Sequence, residues 1–482
     1  MTKTSPPDVM GLETELGLQS NNRVSFITDD GCIRESLSKE AFSDKTDMQR
    51  NQGKDFWLTN GGRIYLDQTR WEICTPETRT LRDFLIWQRA MERIITRSVE
   101  INPNLKLYKN NLDTPFQDRN TPAQDPFFYQ STWGAHMNYT TALPLAKRLP
   151  LVLPAVLEKL LSGSGNLTLI GEFDISQRAK KINNVHPDII EHPNPECSVD
   201  VTSENKLFLL DGKNDYFERD KSEYLFHHTS NDSNMLDNAE WLKVGFMRNM
   251  IALAENGCLP DINYNPREAI KDLRHLTNVR NIQEDPLLTQ SRWYLPSILA
   301  EDRSALDLLK KYNDRSKSEL SGKDTETDFT IELTDHVISS LQRFGQEPDI
   351  LYGVLDWVTK RYLLKEKMKY EGLPPNNDEV QSVNLEYHCL NSGSLFQDLR
   401  SMGGIEIVPT EAEIRNAVMN PPTNTRAYAR GEMVRHKLSG FGKRIEGIHW
   451  NKIIFHTGMT IPMPDARNNY QEQLSQLLSR TN

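Results

Sequence analysis

Cysteine is scarce and scattered in this chain. Cys32, Cys74, Cys197, Cys258 and Cys389 are the full complement, an odd number with no two at the spacing of a metal knuckle. That excludes a disulfide-framed scaffold and a cysteine-based zinc module, and it fits a reducing compartment. Long hydrophobic runs are missing as well. The most apolar stretch, Leu149 to Leu161, contains Pro154, Glu158 and Lys159 and is too short to cross a bilayer. The first residues, Met1-Thr2-Lys3-Thr4-Ser5-Pro6-Pro7, lack the apolar centre of a secretory leader. A soluble cytoplasmic protein with no membrane partner is expected. An excess of basic residues is also absent: the net charge is −10 with both signs interspersed, which argues against a nucleic-acid partner. Neither a G-x-x-x-x-G-K-[ST] loop nor a G-x-G-x-x-G turn occurs, and there is no internal repeat. If the chain binds a nucleotide, it does so on some other frame.

What is present is length and pattern. At 482 residues the chain is long enough for two to four folding units, or for one large domain with an appendage. A hydrophobic content of 37 % suffices for a core at that size. Residues 8–17 read as a strand, residues 18–55 as polar and irregular, and residues 56–78 as two strands around Arg63–Asp67 and Trp71–Thr75. Leu81, Phe84, Leu85, Gln88, Met91, Ile94 and Ile95 follow a helical spacing, so a helix is expected on the back of the sheet. Leu105–Tyr108 reads as a strand, 114–131 as a surface loop, and Ala155–Leu161 as a helix closed by Gly163-Ser164-Gly165. A helix around Trp241–Ala252 stops at Asn256-Gly257, 313–328 reads as an exposed charged linker, 331–370 as helical, and Ala412–Met419 as a short helix ended by Pro421-Pro422. Strand runs mixed with helical runs predict an α+β fold with a large, mainly antiparallel sheet backed by helices.

The chemistry-bearing residues lie in the early strands. After the turn signal Asn60-Gly61-Gly62, side chains two apart in Arg63-Ile64-Tyr65-Leu66-Asp67 share a strand face, and so do Glu13 and Glu15. Two such strands side by side make a floor of carboxylates, phenol and guanidinium. That set suits a divalent ion and a triphosphate, although a strand with a polar outer face has the same pattern. Glu72, five residues after Asp67, returns beside the first strand if the turn is tight; Thr75 and Glu77 are weaker candidates. Arg178, Arg219, Arg426 and Arg430 are candidates for neutralising phosphate. His136 fits a structural role at least as well as a catalytic one. His227 and His228 would point to opposite faces of a strand and share no metal.

Seven segments in order carry a family resemblance. They are Gly11–Gly17, Leu58–Asp67, Tyr108–Asp113, Gly134–Tyr139, Ser176–Ala179, Asp232–Met235 with Leu242–Gly245, and Asn420–Glu432. In this order the chain resembles the Pup ligases and depupylases, which are themselves similar to carboxylate–amine ligases related to glutamine synthetase. The resemblance implies a curved antiparallel sheet cradling ATP, a catalytic domain over 1–415 and a small C-terminal domain over 416–482. It implies magnesium positions at Glu13, Tyr65 and Glu72, nucleotide positions at Arg63, Thr75 and Trp450, and a catalytic aspartate at Asp67; Glu15 is a metal-ligand candidate from its place beside Glu13 in the strand alone. It also implies a Pup-like small protein and its lysine-bearing targets as partners. The chain departs from the family where a His-Glu-Asn-Tyr segment reads His136-Met137-Asn138-Tyr139, where an added loop spans roughly 115–130, and where an Arg-Asp-Glu-Pro-His run is reduced to Arg219-Asp220-Lys221-Ser222-Glu223. Two other readings use the same scaffold: a Pup-independent phosphotransferase and a non-catalytic nucleotide-binding protein.

Overall fold

A period-two alternation builds the sheet. In β1 (Met10–Ser20) Leu12, Thr14 and Leu16 are buried, while Glu13 and Glu15 alternate with them toward the opposite face. β4 (Arg63–Asp67) buries Ile64 and Leu66 completely, and β5 (Arg70–Cys74) buries Trp71 and Ile73. The sheet is completed by β2 (Ala41–Ser43), β3 (Asp55–Leu58) and β6 (Leu105–Tyr108), in the order β1-β5-β4-β3-β2, with every one of these pairings antiparallel. Glu13–Leu16 of β1 pair with β5, and Gly17–Ser20 pair with β6. The computed structural model describes residues 6–20, 31–43, 54–67, 70–112, 132–185, 189, 208–210, 223–279, 282, 295, 304–343, 349–403, 408–438 and 445–479. The expected loop at 114–131, most of 183–222, and Arg219 lie outside the described residues.

The chain packs as two compact units. One holds Met1–Pro7, Asn110–Asp215 and Ser222–Ile407; the other holds Asp8–Lys109, Tyr216–Lys221 and Val408–Asn482, and contains β1 to β6. In this sheet unit the helix Leu81–Glu100 starts where the Thr80 hydroxyl accepts from the Asp83 amide. Its Leu81, Phe84, Leu85, Met91, Ile94 and Ile95 are buried, each contributing roughly 1.5–3 kcal/mol of apolar burial. The helix Glu411–Met419, opened by a capping box between Thr410 and Glu413, packs on it through Ile414 and Ala417 against Ile86 and Ala90. A separate antiparallel sheet, Ile445–Ile448, Lys452–Phe455 and Thr460–Pro462, shares an apolar cluster with Met433, Val434, Leu474 and Trp57 of β3. Residues 416–482 thus pack in the same unit as residues 8–109.

The other unit is mainly helical around Asp237–Glu255, buried from Asp237 to Leu253, with Ala305–Leu320 and Thr325–Arg343 packed on it. It also carries an antiparallel strand pair, Ala135–Thr141 with Tyr224–Asn231. No helix among the described residues is long and apolar enough to cross a membrane.

Three expectations need correction. The charged run 313–328 is no loop: the helix Ala305–Leu320 runs through its start and Thr325–Arg343 begins in it. Its buried stripe includes the polar Asn313 and Ser316, which hide the 3.6-residue period, and Asn313 donates to the Ile331 carbonyl at 2.9 Å. The helical run 331–370 is two helices, the second being Asp356–Glu371, set off by turns around Asp349–Gly353 with Gly353 at φ 75°. The stretch 18–55 holds the end of β1, the helix Gly31–Glu40, β2 and the start of β3.

Candidate active site

The turn Asn60-Gly61-Gly62 joins β3 to β4. The Asn60 side chain accepts from the Gly62 amide at 3.0 Å, and Gly61 takes φ 79°, where a side chain would be strained. A Cβ on Gly61 would also come within 2.6 Å of the Ala427 carbonyl oxygen, so both conformation and space require glycine. This turn sets the register of the hairpin, and the register sets the site.

Cross-strand partners in an antiparallel sheet share a face. One row across the sheet is therefore Glu15, Glu72, Tyr65 and Asp55; the next is Glu13, Cys74, Arg63 and Trp57. The strands bearing Glu13 and Arg63 are not adjacent, as the sequence had implied: β5 lies between them and inserts Glu72 and Cys74 into the middle of the floor. Asp67 ends β4 opposite Arg70. Ligand atoms of Glu13, Glu72 and Cys74 all lie within 4.8 Å of one another.

The electrostatics of this floor are one-sided. Glu72 is 2 % exposed, and among the described residues no lysine or arginine pairs with it. Burial pushes its carboxyl well above the usual range, and Glu13, Glu15 and Asp67 push it further in the same direction. Burial, then Cys74, Glu72 and Glu13, raise the Tyr65 phenol. The Cys74 thiol is likewise raised, by burial and then by Glu72 and Glu13. Arg63 is held at the edge: its Nε donates to Asp55 Oδ1 at 2.8 Å, its Nη2 donates to the other carboxylate oxygen, and its guanidinium lies 4.3 Å from the Tyr65 ring centroid and 5.3 Å from that of Trp57. The Thr75 hydroxyl accepts from the Leu12 amide at 3.0 Å and pins the end of β5 to β1.

Arg430 differs from its expected role. Fully buried, it lies 5.4 Å from the Trp57 ring centroid and 4.8 Å from that of Trp450. Nη1 donates to Glu77 Oε1 at 3.1 Å and to the Trp450 carbonyl at 2.9 Å. Nη2 donates to the other Glu77 oxygen and, at 3.2 Å, to the Gly61 carbonyl, which Nε also reaches at 3.4 Å. A guanidinium has five N–H donors, and all five are engaged, so Arg430 has none to offer a phosphate. Arg426 Nε joins the same carboxylate at 2.7 Å. Burial raises the Glu77 carboxyl, but Arg430 and Arg426 outweigh it and bring the value down to about 2. The cluster holds the Gly61 turn and Trp450 in place; Trp450 meets Trp57 edge-on at 4.9 Å between centroids.

Arg178 belongs to the helical unit. Its backbone amide donates to Asp232, whose buried carboxylate also accepts from the Ser164 and Gln177 amides and from the Ser176 hydroxyl. A Cβ on Gly134 would fall 2.1 Å from His136 Nε2 and 2.8 Å from Arg178 Nη1, so glycine there lets these two side chains converge. His227 accompanies them: its ring is 5.5 Å from that of His136, and its Nδ1 is 2.7 Å from Asn138 Oδ1. His228 bonds to Ser230 instead, as opposite strand faces require. Sequence reasoning missed Asp55 and Cys74 as members of the floor. The signal for both was the same alternation, carried one strand back from the Asn60 turn and two residues on from Glu72.

With this geometry in hand, the likenesses to known proteins are informative. The sequence model of the family described as Pup-ligase protein matches residues 8–454. A depupylase of Acidothermus cellulolyticus is 27 % identical, over 83 % of this chain and 74 % of that protein. A Pup–protein ligase of Acidimicrobium ferrooxidans is 23 % identical over 98 % of both chains. A solved structure of the Pup ligase PafA in complex with ADP shares the fold, with a TM-score of 0.72 and 18 % identity, covering 96 % of each chain.

Proposed function

This chain belongs to the Pup-ligase protein family, and from that premise we propose that it is an ATP- and magnesium-dependent enzyme making or cleaving the isopeptide bond between the C-terminal carboxylate of a Pup-like protein and a lysine. The observation that carries the reading is the buried Glu72 carboxylate, flanked by Glu13, Glu15 and Tyr65, with no basic partner among the described residues. A buried charge without a counter-charge is costly in an isolated protein. It is well suited to magnesium, which takes one or two protein carboxylates together with phosphate oxygens and water.

The chemistry follows from the substrate. A carboxylate is a poor acyl donor because oxide is a poor leaving group. Transfer of the ATP γ-phosphoryl group makes an acyl phosphate, which an amine can attack with phosphate leaving; in the cleaving direction water attacks the isopeptide carbonyl and the lysine amine leaves. In this reading Glu13, Glu15, Tyr65 and Glu72 hold magnesium. Arg63, already oriented by Asp55, offsets phosphate charge. Thr75 and Trp450 border the nucleotide, and Arg430 positions Trp450. Asp67 accepts a proton from the attacking lysine, or activates water in the reverse direction. Residues 416–482, with their own sheet, are kept as a small C-terminal domain that supplies Trp450.

Pup-independent phosphotransfer shares the floor, but no geometric observation favours it. Met137, which stands where the family has glutamate, is fully buried, while His136 and Asn138 on either side of it are not. The replacement therefore removes no donor from their face of the strand. γ-Labelled ATP given with and without a Pup-like tail peptide decides the matter. Peptide-dependent ADP formation is expected; label moved to protein without the peptide would favour phosphotransfer, and no turnover would leave a nucleotide binder.

A further inference from the structure

Cys74 has no part in the chemistry described so far, yet it stands in the floor. It sits on the central strand β5 between Glu13 of β1 and Arg63 of β4, and two residues from Glu72 on the same face. Its sulfur is 3.9 Å from Glu72 Oε1, and the three donors Glu13, Glu72 and Cys74 fall within 4.8 Å of one another. Cys74 and Glu72 are each 2 % exposed, and Glu72 has no basic partner among the described residues. Two carboxylate oxygens and one sulfur this close together can converge on one ion by small side-chain rotations, to roughly 2.0–2.2 Å for oxygen and roughly 2.3 Å for sulfur. Magnesium is a hard ion that wants oxygen, and it gains nothing from a thiol. Zinc-class ions gain a great deal, because soft sulfur ligands select them.

We infer that Glu13, Glu72 and Cys74 form a mixed-donor site for a thiophilic divalent ion of the zinc class, which competes with magnesium for the same carboxylates. The inference deepens the proposed ATP enzyme and rests on that floor being its metal site. On binding, the sulfur–hydrogen bond breaks, the proton leaves to solvent, and the thiolate electron pair forms the metal–sulfur bond. No redox change occurs. Held by a metal–sulfur bond that magnesium does not form, such an ion sheds its water to the three donors and leaves the floor more slowly than magnesium, so zinc would act as a brake on ATP turnover.

The test uses the full chain and Cd2+ alone as the probe, because cadmium–thiolate bonds absorb in the near ultraviolet. The wild type should develop a charge-transfer band that saturates at one ion. Cys74→Ala should lose that band and bind cadmium at least about tenfold more weakly, while Cys32, Cys197, Cys258 and Cys389 remain as internal controls. Cys74→Ser, which keeps the volume, covers the case in which the alanine variant misfolds. Glu72→Gln should weaken the band even with every cysteine present. An unchanged band in the Cys74 variants, or no band in the wild type, overturns the inference. Mg-ATP binding, titrated separately on the same preparations, keeps the two readings apart. Nucleotide binding with cadmium indifferent to Cys74 sinks this site alone; a Cys74-dependent band with no Mg-ATP binding leaves the donor set standing and sinks the nucleotide floor.

Discussion

Two buried charged regions of the sheet unit solve the same problem in opposite ways. Around Glu77 the charge is compensated: two arginines converge on one carboxylate, and Arg430 spends every donor within the protein. Around Glu72 it is not: carboxylates, a phenol and a thiol gather with no basic partner for the buried carboxylate among the described residues. A saturated cluster fixes shape, whereas an unsaturated one stores a demand for a cation. The lesson is that the number of donors already engaged, rather than residue type, separates a clamp from a site.

The comparison can be broken most decisively by activity. Asp67→Asn should lower turnover about 10²–10⁴-fold with the melting temperature of the metal-free protein unchanged; retained turnover would remove Asp67 from the mechanism. The stability side comes next. Arg430→Ala leaves Glu77 buried with half its support and should cost about 3–5 kcal/mol in urea unfolding. Replacing Glu77 and Arg430 together by apolar residues should recover part of that loss.

Acid provides a gentler probe of the clamp. The folded Glu77 carboxyl titrates at about 2, against an ordinary value of 4.5. Its contribution of about 3 kcal/mol is therefore present above pH 4.5 and is lost as the pH falls toward 2. Glu77→Gln should flatten that part of the stability curve, and an unaltered curve would argue against the clamp.

Glu72→Gln is the same chemical change made in the uncompensated region. It should leave metal-free stability unchanged, or raised by up to about 1 kcal/mol, because it relieves like-charge repulsion, while abolishing Mg-ATP binding by calorimetry. If it destabilises as Glu77→Gln does, the distinction between the two regions fails. The smallest effect belongs to a control, the exposed pair Arg82–Glu413, bonded at 2.8 Å with side chains 46 % and 34 % exposed. Arg82→Gln should cost under about 1 kcal/mol, since water screens such a pair.

Much of the floor was legible in the chain because a strand with one buried face must alternate. Leu12, Thr14 and Leu16 point inward, so Glu13 and Glu15 had to share the other side, and Arg63, Tyr65 and Asp67 followed by the same rule. The helix Leu81–Glu100 was legible from its apolar period, with Gln88 buried among the hydrophobic residues. The helices across 313–328 were not, because Asn313 and Ser316 fill buried positions with polar groups whose partners come from elsewhere.

Sequence by itself determined which side chains share a face, since that depends only on neighbours one and two residues away and on the fixed geometry of an extended backbone. Strand order and partner choice belong to tertiary structure. Only the folded sheet puts β5 between β1 and β4, bringing Glu72 and Cys74 to the centre of the floor. Only folding brings Arg430 to Glu77 across 353 positions of chain and so withdraws it from phosphate binding. Donors are consumed by whatever lies nearest in space, and no local pattern records that.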